Sequence, residues 1–98
     1  MNDARRRRIR KIIKMVSNPN PEWDEIQMEL SDLLDEETEA MENIPESMQD
    51  TQRYEICEES VDHLEAALSA ADVDEDDPDS VLEAIEEIIE ELNQIDGI

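Results

Sequence analysis

Two runs of apolar residues constrain this chain more than anything else in it. In the first, Trp23, Ile26, Leu30, Leu33, Ala40 and Ile44 step by alternating threes and fours, with Glu37 standing where the next apolar residue belongs. In the second, Tyr54, Cys57, Val61, Leu64, Leu68 and Ala71 repeat the pattern. Spacing of this kind places one side chain per turn on a single helix face. Leu34 and Met41 widen the first stripe, as bundle packing requires. Between the runs lies a corner at residues 43–51, where Pro45 blocks a helical hydrogen bond and turns Ile44 away from helix. Two matched stripes joined by a short corner predict an antiparallel helical hairpin over 21–71.

The flanks extend the hairpin. Asp3 suits the N-cap of a first helix over residues 4–16, with Ile9, Ile12, Ile13 and Val16 on one face. Pro19 and Pro21 end it; Asn20 with Pro21 reads as the N-cap and first position of the second helix, which runs to about Asn43. Ser47, Asp50 and Thr51 are all candidate caps for the third helix, residues 52–71. An acidic loop follows at 72–79. A C-terminal helix over 80–96 turns Val81, Leu82, Ile85, Ile88, Ile89, Leu92 and Ile95 inward and stops near Gly97. Its start is open between a Ser80–Glu83 capping box and the pair Asp77-Pro78. The expected fold is a single all-α domain: a hairpin extended by a basic N-terminal helix and a C-terminal helix, in a coiled coil or bundle. With one Trp, one Tyr and no Phe to anchor a core, it is expected to be oligomeric.

Composition excludes several classes. One Gly and no Phe leave no material for a sheet protein. Cys57 stands alone, so no intrachain disulfide forms, which suits an intracellular setting. No apolar run approaches the roughly 18 residues that span a bilayer, and no apolar stretch follows the N-terminal arginines as a secretory signal demands. Leu, Ile, Val and Phe make up 22 of 98 residues, enough for periodicity rather than composition to decide that the chain folds.

Charge is segregated. The formal net charge is −22; residues 1–21 carry +6 and residues 22–98 carry −28. Arg5, Arg6, Arg7, Arg8, Arg10, Lys11 and Lys14 hold seven of the eight cations. Three readings stand for this basic helix: contact with acidic helices of its own assembly or with a protein, contact with a membrane or nucleic acid, and solvation. Direct DNA binding by the whole chain is opposed electrostatically. On the acidic side, Glu83, Glu87, Glu90 and Glu91 repeat at about one helical turn, ~5.4 Å, comparable with phosphate spacing along a nucleic acid strand. Such a row is either a solvated face or a mimic of nucleic acid.

Two patterns raise metal chemistry. Asp72, Asp74, Asp76, Ser80 and Glu83 match positions 1, 3, 5, 9 and 12 of a twelve-residue calcium loop, although Asp77 replaces the turn glycine and Asp79 the usual apolar residue. Glu36-x-x-Glu39 and Glu59-x-x-Asp62 resemble the paired magnesium motifs of all-α nucleoside-triphosphate pyrophosphatases, an alternative that needs all four carboxylates to converge. Neither carries the reading: no catalytic residue, cofactor or firm metal site is expected. His63, the only histidine, excludes a paired di-iron motif and reads as a partly exposed surface residue; Cys57 reads as a small buried hydrophobe.

The block Leu33-Leu34-Asp35-Glu36-Glu37-Thr38-Glu39-Ala40, the corner Asn43-Ile44-Pro45-Glu46-Ser47-Met48-Gln49 and the run Glu58-Glu59-Ser60-Val61-Asp62-His63-Leu64-Glu65-Ala66-Ala67-Leu68 resemble small, uncharacterised, acidic helical proteins of bacteriophages and prophages. Those chains share a basic opening segment, a D-E-E-x-E-A run and an N-[IM]-P-E corner. The chain departs from them at residues 72–79, where a more continuous helix is expected. The resemblance implies phage origin, a bacterial cytoplasmic setting and no enzymatic activity. The expectation is therefore an accessory protein acting by protein–protein contact, its acidic surface occupying a basic site on a nucleic-acid-handling or defence protein. The alternative is a self-assembling coiled-coil module joined through its basic helix.

Overall fold

A computed structural model describes residues 3–48 and 51–96. Four helices account for most of them: α1 (Asp3–Val16), α2 (Trp23–Glu42), α3 (Gln52–Ala70) and α4 (Pro78–Asp96), with a 3-10 turn at Glu46–Met48. No strand occurs among the described residues.

Each boundary has a local cause. Asn18 Oδ1 accepts the Asn20 N–H at 3.0 Å, so the Asn-Pro-Asn-Pro segment closes a turn instead of starting a helix. α2 consequently begins at Trp23, with Glu22 as N-cap and its carbonyl accepting the Ile26 N–H at 2.9 Å; the expected Asn20–Pro21 start does not form. At the far end Asn43 N–H bonds Glu39 O and Ile44 N–H bonds Met41 O, tightening the last turn before Pro45. Of the three candidate caps for α3, Thr51 takes the N-cap position, its hydroxyl donating back to Met48 O at 2.7 Å. Ser47 lies within the 3-10 turn, and Asp50 falls outside the described residues, as does the expected stop at Gly97.

α4 resolves the open alternative in favour of Asp77-Pro78. Asp77 Oδ1 accepts the Asp79 N–H at 3.1 Å and lies 3.5 Å from the Ser80 N–H, while its carbonyl accepts the Val81 N–H. A carboxylate over the first turn with proline at the first helical position is a favourable start. The helix therefore begins three residues earlier than Ser80 capping requires.

α1 packs on α2 and α4, and α3 packs on α2 and α4, which closes a four-membered ring of helices. Arg5 faces Glu37 while Lys11 faces Glu29, so α1 runs antiparallel to α2, and Gln27 Nε2 donating to Ala71 O sets the start of α2 against the end of α3. One continuous core fills the ring, built from Ile9, Ile12 and Val16 of α1; Trp23, Ile26, Leu30 and Leu33 of α2; Leu64 and Ala67 of α3 with Ala71; and Ala84, Ile88, Leu92 and Ile95 of α4. Fully burying a side chain of this size contributes about 1.5–3 kcal/mol. One expected core residue is misplaced: Leu82 is 59% exposed. Val81 and Ile85, half-buried on either side of the stripe, already fill the seam, and Leu82 points some 100° away from Val81.

The molecule measures 48 × 20 × 20 Å, longer than any one helix. Arg5 stands opposite Glu37, so α1 opens beside the last two turns of α2, toward the end of the bundle that carries the Ile44 corner. Ile44, Cys57 and Val61 are buried there, outside the main core cluster.

Candidate interaction surface

The basic helix is the first element to place. Its apolar stripe turns Ile9, Ile12 and Val16 into the bundle, which leaves cations on both shoulders. On one shoulder Arg5 Nε stands 2.9 Å from Glu37 Oε2, Arg8 pairs with Glu36, and Lys11 Nζ lies 3.9 Å from Glu29 Oε1. On the other, Arg10 Nη2 meets Asp96 Oδ1 at 3.2 Å and Arg6 Nη1 donates to the Asp96 carbonyl at 2.9 Å. Asp96 closes the last described turn of α4, so both arginines also meet the negative end of that helix. Arg7 and Lys14 are exposed. Four of the seven cations thus meet carboxylates of the same chain, and Arg6 bonds a backbone carbonyl.

Arg5 and Glu37 differ from the other pairs in their burial. Glu37 is the residue that interrupts the first apolar stripe, and it is fully buried. The Arg5 side chain is 18% exposed. The pair is held by charge and proximity, since the guanidinium N–H is not aligned on the oxygen as a hydrogen bond requires. Ser60, also fully buried, finds no hydrogen-bond partner for its hydroxyl among the described residues. Cys57 lies beside Glu37. Burial first, then the negative charge of Glu37, push the Cys57 thiol above its ordinary value. Chemistry at this thiol is disfavoured, because the reactive form is the thiolate.

The acidic row on α4 is only partly as expected. Glu83, Glu87 and Glu90 are exposed along one face, but Glu91 turns into the α3–α4 seam, where its Oε2 lies 2.5 Å from His63 Nδ1. His63 is half-buried there and ties two helices together.

The metal patterns are not assembled. Asp72, Asp74 and Asp76 are exposed on the loop, Asp74 Oδ1 takes the Asp76 N–H at 3.1 Å, and Ser80 and Glu83 belong to α4. Among the described residues no three His, Cys, Asp or Glu side chains come together as metal ligands. The pyrophosphatase quartet is likewise divided. Glu36 pairs with Arg8, whereas Glu59 and Asp62 line an open acidic depression on α3 with Glu55 and Glu58.

Glu29, Glu37 and Asp96 escaped the sequence reading as site residues. Their signal was present in part: a carboxylate on an apolar stripe, with an arginine one turn into an antiparallel neighbour, is the pattern of a buried pair. No described helix is long and apolar enough to cross a membrane. Comparison with protein-family models, curated proteins and solved structures finds no match to the chain.

Proposed function

We propose that the chain is a non-enzymatic, phage-type accessory protein whose acidic outer surface occupies the nucleic-acid site of a basic protein partner. One observation carries this reading: the docking of α1 draws most of the cations into ion pairs within the chain and leaves the outer faces of α2, α3 and α4 predominantly acidic. The net charge of −22 is spread over a rod 48 Å long and 20 Å across. That is one net charge for roughly every 2 Å of length, against one per ~1.7 Å along a DNA duplex. A cleft that focuses positive potential on a duplex presents the same field to such a rod.

The setting, the cytoplasm of a bacterial host, rests on the resemblance to phage proteins. The alternative, a self-assembling coiled-coil module joined through residues 1–16, has to draw those same cations away from intrachain partners.

The test is displacement. A fluorescent DNA duplex is bound in turn to a panel of bacterial DNA- and RNA-binding proteins, and this chain is titrated in. Release of the duplex from at least one panel member, weakening steeply between about 50 and 200 mM salt, is expected. No release from any member at low salt removes the mimicry reading. Light scattering of the free chain over a concentration series decides the assembly alternative.

A further inference from the structure

We propose that the groove between α2 and α4 in which α1 lies is a docking site for the basic amphipathic helix of a partner protein, with α1 as its resident occupant. The inference concerns the groove and not the outer faces, and it stands whether or not those faces mimic nucleic acid.

The geometry of α1 is that of a ligand on a tether. It enters the core through Ile9, Ile12 and Val16, with Ile13 and Met15 half-buried against its edge. Each shoulder of that stripe is basic and meets carboxylates of opposite sign: Glu29, Glu36 and Glu37 along α2, and Asp96 at the end of α4. The remaining three helices form a connected unit without it, α3 packing on both α2 and α4. The connection to α2 contributes nothing to the core: Ser17, Asn18, Pro19 and Asn20 are all exposed. Three of the α1 ion pairs also sit at open positions; Arg10 and Lys11 are each more than half exposed, and Glu36 nearly half. Exposed pairs exchange readily with water and salt. A partner helix with apolar residues at i, i+3 and i+7 and cations on both shoulders reproduces the buried stripe and the ion pairs of α1. An unpatterned basic segment reproduces only the charge. This defines the partner by chemistry: a basic, amphipathic helix lying antiparallel to α2.

The experiment uses the full chain with Arg10→Cys and Asp96→Cys in a Cys57→Ala background, with and without a bismaleimide joining the two introduced thiols. The probe is a fluorescent peptide with the sequence of residues 3–18, read by anisotropy. The unbridged chain is expected to bind the peptide, and bridging to weaken binding at least tenfold, because α1 then cannot leave. A peptide of the same composition with the apolar stripe scrambled is expected to bind the unbridged chain at least tenfold more weakly. Equal binding to bridged and unbridged chains means the peptide rests on the outer acidic faces and overturns the proposal. So does binding to neither. A stable dimer of the unbridged chain before peptide is added assigns the groove to the α1 of a second copy and overturns the partner reading. If the bridged chain loses its helical circular dichroism, a bridge between Lys11→Cys and Glu29→Cys replaces it and is read by the same outcomes.

Discussion

Arg5 closes on Glu37 across the α1–α2 seam, Nε to Oε2 at 2.9 Å, and the carboxylate it meets is fully buried. A buried ion pair adds little net stability over a well-packed apolar pair, but removing one partner strands a charge away from water. Arg5→Ala is therefore expected to cost about 3–5 kcal/mol in urea unfolding. The double variant Arg5→Met with Glu37→Leu is expected to return within about 1 kcal/mol of the native chain or to exceed it. If Arg5→Ala unfolds at the native urea midpoint, the pair contributes nothing and the account of α1 docking fails at its centre.

Cys57 gives this same layer a spectroscopic handle. Its thiol is held above its ordinary value of 9.0 by burial and then by Glu37. A group that binds its proton more tightly folded than unfolded contributes stability that is complete below the unfolded pKa and declines as pH rises through the folded one. Folding stability is thus expected to fall as pH climbs above 9.0, and Cys57→Ala to flatten that decline. Thiolate absorbance near 240 nm is expected to rise at lower pH in Glu37→Gln than in the native chain, since the charge of Glu37 helps to hold the thiol up. Coincident titrations would separate the thiol from Glu37.

These two residues also show how far the sequence could be read. The stripes placed both on inward faces, and Glu37 was visible as an interruption at a core position. Its partner was not visible, because 32 positions separate Arg5 from Glu37 and six other cations compete nearby. Periodicity is local information, whereas the choice among carboxylates depends on which helices become neighbours. The same limit explains Leu82. Val81, Leu82 and Ile85 are all apolar, and only the rotation of α4 in the bundle decides which one faces water. Asn20 failed for a local reason: the chain turns at Asn18–Asn20, and the first helical bond goes to the Glu22 carbonyl two residues on. The candidate surface divided similarly: the segregation of charge and a docking role for the basic helix were plain, but which carboxylates it meets was not.

Salt is expected to act on α1 and on the rest of the bundle in opposite directions. Residues 22–98 carry −28 and repel one another, so screening stabilises α3 and α4. The attraction that holds α1, with +6 on residues 1–21, is screened away. The Debye length falls from about 30 Å to about 10 Å between 0.01 and 0.1 M salt, which spans the relevant distances. Amide hydrogen exchange should therefore quicken in α1 and slow in α3 and α4 over that range. A uniform change of one sign in all four helices would show that α1 is held by its apolar stripe alone.

The rotation of α4 is tested by two alanine substitutions. Leu82, 59% exposed, is expected to tolerate Leu82→Ala within about 0.5 kcal/mol. Ile88, fully buried in the central cluster, is expected to lose about 2–5 kcal/mol on Ile88→Ala. Reversal of that order in thermal or urea unfolding would rotate the helix by a residue and move the acidic row with it.

The start of α4 separates two effects of one carboxylate. Asp77 Oδ1 accepts the Asp79 N–H at 3.1 Å, and Asp77 is one of many acids in a chain of net charge −22. Replacing it by alanine removes a cap, at a cost of about 1 kcal/mol, but also relieves like-charge repulsion in the loop. Asp77→Asn removes the charge and keeps the cap, since asparagine caps about as well as aspartate. The expected order of stability is therefore Asp77→Asn at or above the native chain, with Asp77→Ala about 1 kcal/mol below Asp77→Asn. Ser80→Ala, removing a hydroxyl from within the first turn, is expected to change little. If Ser80→Ala costs more than Asp77→Ala in urea unfolding, the helix starts at the capping box instead, and Pro78 belongs to the acidic loop.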